Sequence, residues 1–257
     1  MTYKTAITLI CTLVLMTGSV KAADYAVALS PFQSPVATRE QVTAILQFVT
    51  TLEPADRVQF YDGYHLELIG TFNIPANAAY NSQKARLAVN AGVVKQLLSF
   101  AQSAHLPTTP AEPSHSGAVR LPQFLRTLAS SNTGSTPVDV IVLGSALYDD
   151  PAEPVFAMTQ GRYPSDGHLS HTRGETVFGA KGTPALLEHL RVHLAYGTQS
   201  QFASEAHRFY VERFWTLFVQ AQGGELVSFA AELSTVLARV RSKAAPVVVV
   251  NKNRTVV

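Results

Sequence analysis

Apolar and polar positions along the chain alternate between two periods, and the changes of period mark the elements. Asp24 to Ser30 is a short apolar run that Pro31 stops, the pattern of a buried strand. Thr38 then stands as an N-cap with Gln41 three residues on, and Val42, Ile45, Leu46 and Val49 recur at helical spacing. This predicts a helix to about Leu52, ended by Pro54. Arg57 to Tyr61 alternates, Asp62-Gly63 is a two-residue turn signal, and Leu66 to Ile74 alternates again, predicting an antiparallel hairpin. Tyr64-His65 is a second place for the turn.

Asn81 to Ala104 reads as one long helix with Leu87, Val94, Leu97, Leu98 and Ala101 on its apolar side. His105 to Gly117 carries three prolines and is a loop, and Leu121 to Ser130 is a short helix closed by Asn132 and Gly134. Val138 to Leu143 is the second apolar run, as expected of a central parallel strand covered on both faces. An irregular stretch from about Ala146 to Thr183 follows, long enough to suggest a functional insertion. Pro184 to His189 begins a helix and a strand starts at about Arg191. Ala203 to Gln222 is a helix bearing Phe209, Phe214, Trp215 and Phe218, read first as a packed face. Gly223-Gly224 caps it; Glu225 to Ala230 is a strand and Glu232 to Val240 the last helix. Pro246 to Val250 is an apolar run that adds an edge strand or stays unstructured.

The amino end changes how charge is read. Residues 1–23 have the form of a secretory signal: Lys4, an apolar run from Ala6 to Met16, and small residues around Ala22-Ala23. Cys11, the single cysteine, lies inside it, so the expected mature chain has neither disulfides nor thiolate metal sites. Lys4 and Lys21 leave with the signal, taking the 20 Lys+Arg to 18, against 18 Asp+Glu. Neutrality excludes nucleic-acid binding as a charge-driven role, and residues 241–257 form a basic, solvated tail. The expected location is a bacterial periplasm, with membrane contact only through the signal before cleavage.

Strands alternating with helices predict one three-layer α/β domain over residues 24–240, its sheet mostly parallel with one antiparallel hairpin strand. With the hairpin directly after the first helix, the segments Arg57–Pro75, Val138–Ser145 and Gly223–Ala230 resemble a von Willebrand factor A domain. That family commonly holds Mg²⁺ through an Asp-x-Ser-x-Ser motif after the first strand and an Asp after the fourth. The corresponding residues here are Ala28-Leu-Ser30-Pro-Phe32 and Leu143-Gly144-Ser145, which lack the carboxylates a hard cation needs. The resemblance therefore implies the fold with a degenerate metal site, no cofactor and no catalytic residue. Neither strand is followed by a glycine-rich phosphate loop, and no Gly-x-Ser-x-Gly elbow occurs.

By fold analogy the expected role is protein–protein contact with a cell-envelope partner, as an accessory of a secretion or conjugation assembly. Ligands of open α/β sheets lie beyond the carboxyl ends of the strands. The expected partner face is therefore Ser30, Gln33, Ser34, Ser145, Tyr148, Asp149, Asp150, Asp166 and His168. The competing class is a metal-dependent hydrolase centred on Asp149, Asp150, Asp166, His168 and His171, because carboxylates and imidazoles spaced this closely can share a metal or serve as a base. His189 and His193 share a face only if helical; on a strand, His193 becomes a satisfied core group.

Overall fold

The computed structural model describes residues 22–132, 136–243 and 245–246. The expected signal sequence as far as residue 21, Gly134, and the run beyond Pro246 lie outside the described residues. The elements run β1 (Asp24–Leu29), α1 (Pro35–Val49), β2 (Arg57–Asp62), β3 (Glu67–Asn73), α2 (Gln83–Val89), α3 (Ala91–Ser103) and α4 (Leu121–Ser131). They continue as β4 (Val138–Leu143), β5 (Leu190–Ala195), α5 (Glu205–Gln220), β6 (Glu225–Ala230) and α6 (Leu233–Arg241). One six-stranded sheet has the order β3-β2-β1-β4-β5-β6, with every neighbour parallel except β2 and β3.

Alternation within the central strands divides the core. Val27, Leu29, Ile141 and Leu143 meet α1, α3 and α6 on one face. Ala26, Ala28, Val140 and Val142 meet α4, α5 and parts of the insertion on the other. Each face of the sheet is thus covered, which makes three layers. Phe214, Trp215 and Phe218 pack into that second core, whereas Phe209 on the same helix is 56% exposed.

Several local expectations need correction. Helix α1 begins earlier: Ser34 caps it by accepting the Ala37 N–H, Pro35 fills the first turn, and Thr38 instead donates its hydroxyl to Ser34 O. The helix also stops at Val49, three residues before the expected end, and Thr50 and Thr51 turn their hydroxyls back onto Gln47 O and Phe48 O. The hairpin closes through residues 63–66, not a two-residue turn, because Asp62 pairs with Glu67. Its carboxylate accepts the Tyr64 and His65 N–H groups and so organises that longer turn. The expected long helix is two, broken at Asn90. Its side chain bonds both the N–H and the C=O of Asn73, on the edge strand β3, and also donates to Arg86 O. Residues 184–189 form turns rather than a helix, since the Leu187 N–H is drawn to Gln222 O. No helix among the described residues is long and apolar enough to cross a membrane.

Candidate functional site

The strand order reverses direction between β1 and β4, and in open α/β sheets the crevice at that point is the usual ligand seat. Here the chain's own loop fills it. Gly117 donates its N–H to Phe32 O at 2.6 Å and accepts the Ser145 N–H at 2.6 Å, so it bridges the ends of β1 and β4. Ser30 adds a hydroxyl bond to Ala118 O at 2.8 Å and accepts the Phe32 N–H. The wedge requires glycine on both sides. Gly117 has φ +82, and a Cβ on Gly144 would stand 2.5 Å from Gly117 O.

Above the wedge lies a chain of four side chains. The Ser145 Oγ stands 2.8 Å from His115 Nε2, and His115 Nδ1 stands 3.1 Å from Asp149 Oδ2. The same Asp149 oxygen accepts the Ser114 N–H and hydroxyl. Burial pushes the Asp149 carboxyl up, but His115 and Ser114 outweigh it and hold it below the ordinary value. At the other end the amide of Gln201 is fixed, because its Nε2 donates to Tyr196 O and Thr198 O. Its Oε1 therefore faces Ser145, accepting the hydroxyl at 2.6 Å and the Ala146 N–H at 3.1 Å. Ser145 also accepts the Leu147 N–H.

Two consequences follow for chemistry. With its proton directed to Gln201, the Ser145 hydroxyl is not donated to His115 in this geometry, so the proton transfer that a nucleophile needs is not set up. The Ala146 N–H, the donor that would meet an oxyanion beside Ser145, is taken by Gln201. A cleft of about 390 Å³ lies over the wedge; His115, Ser145 and Gln201 reach it, and Gln33, Ser34, Gln41, Ser116, Thr198 and Ser200 complete its walls. The Oε1 atoms of Gln33 and Gln41 are buried without a donor among the described residues.

The other residues expected on this face are dispersed. Ser30, Ser145, Tyr148, Asp149 and Asp150 are buried, while Gln33 and Ser34 reach the surface. Asp150 forms an ion pair with Arg120 at 2.7 Å, and that guanidinium lies over the Tyr64 ring. Tyr148 donates its hydroxyl to Glu153 and accepts from Gln123 Nε2 at 2.8 Å. Burial and then the Glu153 hydrogen bond raise its phenol well above the usual range. Asp166 is held by two 2.7 Å bonds to Arg213, which depress its carboxyl. His168 packs edge-on to Phe156, and burial, then His171, lowers it. Among the described residues no three His, Cys, Asp or Glu side chains converge as a metal site would need. His193 is fully buried on β5 between Asp139 and Ser228.

His115 and Gln201 are the members that sequence reasoning missed. Ser114-His115-Ser116, polar residues packed between Pro113 and Gly117, is the local hint, but its partners lie 30 and more positions away. No protein-family model matches this chain, and no curated protein matches its sequence.

Proposed function

We propose that this chain is an exported, non-catalytic binding module of von Willebrand factor A-like build. In this reading it works in the bacterial periplasm through contact with a cell-envelope protein, as an accessory of a secretion or conjugation assembly. The observation that carries it is the filled crevice. Gly117 occupies the seat between β1 and β4, and Ser145 is committed to Gln201, His115 and Leu147. The antiparallel β2–β3 pair at the end of an otherwise parallel sheet supports the family resemblance. Recognition falls to the rim, where Gln33, Ser34, Thr198 and Ser200 border the cleft and two amide oxygens await donors. An unmatched buried acceptor costs about 1–3 kcal/mol, which a partner's N–H or O–H would recover.

The test is site-specific photo-crosslinking in cells, with the reactive residue at Gln33 or Thr198 and a control at exposed Leu68 on β3. A discrete protein adduct from the rim positions alone supports the reading. Adducts at none of the three, or equally at all three, count against it.

A second reading rests on the same residues. Should the Ser145 hydroxyl swing from Gln201 to His115, the 2.8 Å and 3.1 Å contacts to His115 would form an acyl-transfer relay with Asp149. A fluorophosphonate probe distinguishes the two: labelling that Ser145→Ala abolishes establishes the relay, and an unlabelled wild-type protein leaves the binding module.

A further inference from the structure

Between α4 and the insertion lies a cleft of about 680 Å³, on the side of the sheet away from α1. Arg126 on α4 lines it. This residue is 6% exposed and has no carboxylate partner among the described residues. It donates to Val177 O at 2.6 Å and Gly179 O at 2.8 Å, its charged carbon lies 5.4 Å from the Phe218 ring centre, and its Nε–H has no acceptor among the described residues. Carbonyls and a ring face leave most of a buried positive charge uncompensated. Arg173, on the exposed stretch of the insertion, lines the same cleft and adds a second cation.

We propose that this cleft binds a small organic oxyanion, a carboxylate or phosphate carried beside a hydroxyl or amine, with Arg126 and Arg173 as its cationic wall. Guanidinium groups match the planar or tetrahedral oxygens of such anions. The neighbouring Gln123 defines the second half of the ligand. Since Tyr148 donates to Glu153, its oxygen accepts from Gln123 Nε2, which turns Gln123 Oε1 away; that oxygen is buried and has no donor among the described residues. A hydroxyl or ammonium beside the anion would supply one, with Glu153 next to it on the cleft wall. The volume lies within the range that holds small metabolites. The charge state of Arg126 agrees: burial, then Arg173, lowers it to about 10 against the pull of Glu153, and a bound anion would reverse that.

The test is titration calorimetry of the full chain at constant ionic strength with glycerol 3-phosphate and with malate, using glycerol as the control. Saturable binding of either acid, absent for glycerol, is expected, and the preferred acid separates phosphate from carboxylate. Arg173→Glu, a surface change, should weaken binding by about tenfold or more. Arg126→Lys, which retains the charge, covers the case in which Arg126→Gln fails to fold. No saturable binding of either acid, or unchanged affinity in Arg173→Glu, would overturn the proposal. Neither result bears on the rim above Gly117.

Discussion

One oxygen of Asp149 receives three donors at once: His115 Nδ1 at 3.1 Å and the N–H and hydroxyl of Ser114. The loop carrying Ser114 and His115 is thereby tied to the strand end that carries Ser145.

Acid stability should report on this junction. A carboxyl held below its unfolded value stabilises the fold above that value, and the contribution is lost as pH falls through the lowered folded value. Asp149→Asn is expected to cost about 1–3 kcal/mol at neutral pH. It should also flatten the loss of stability expected of the wild type below about pH 4. Thermal melts between those conditions check both, and parallel pH curves for the two proteins would refute the assignment.

Tyr148 is a core residue despite its place in an irregular stretch, with 1% exposure and ring contact to Phe178. Tyr148→Phe removes only the hydroxyl between Glu153 and Gln123 and should cost about 1–2 kcal/mol. Tyr148→Ala also opens a cavity and should cost about 3–5 kcal/mol. Urea unfolding measures the difference; equal losses would mean that the ring contributes nothing.

Gly144→Ala probes the wedge. The added methyl would meet Gly117 O at 2.5 Å and Val119 Cγ2 at 2.6 Å, and Gly117 is itself bound to both strand ends. Overpacking of this kind is expected to cost about 1–3 kcal/mol. If the melting temperature is unchanged, the loop is not held there as tightly as these contacts require.

The exposed pair His105–Glu112 offers a direct titration. Backbone N–H of Thr108, then His105 and the Thr109 N–H, lower Glu112 to about 2, and Glu112 in turn raises His105. Glu112→Gln should therefore move the NMR titration midpoint of the His105 ring downward. An unmoved midpoint would show that the 3.0 Å contact does not persist in solution.

The sheet was legible because its strands are apolar runs bounded by Pro, Gly or charge, and the Arg57–Asn73 hairpin kept its pairing although its turn is longer. What was not legible depends on long-range partners. The helix breaks at Asn90, two residues before Gly92, where Asn73 offers the Asn90 side chain an N–H and a C=O on the edge strand. Residues 184–189 favour helix locally but bond to Gln222 instead. Of the residues expected on a partner face, Ser30, Gln33, Ser34 and Ser145 follow the carboxyl ends of β1 and β4. Which side chains stay accessible there is decided by His115 and Gln201, whose loops meet Ser145 only after folding. Arg126 becomes a buried cation only where α4 is packed against residues 177–179, a contact no local pattern marks.

The position of β1 in the sheet sets an order of events for a chain delivered amino end first. Asp24 aligns with Arg57 on one side and Val138 on the other, so the earliest strand is also one of the two central ones. Until Val138–Leu143 arrive, that strand keeps one whole hydrogen-bonding edge unclaimed. If the chain does cross a membrane as a thread, its middle can close only after more than half of it has arrived, and anything that shields Asp24–Leu29 until then would govern its yield.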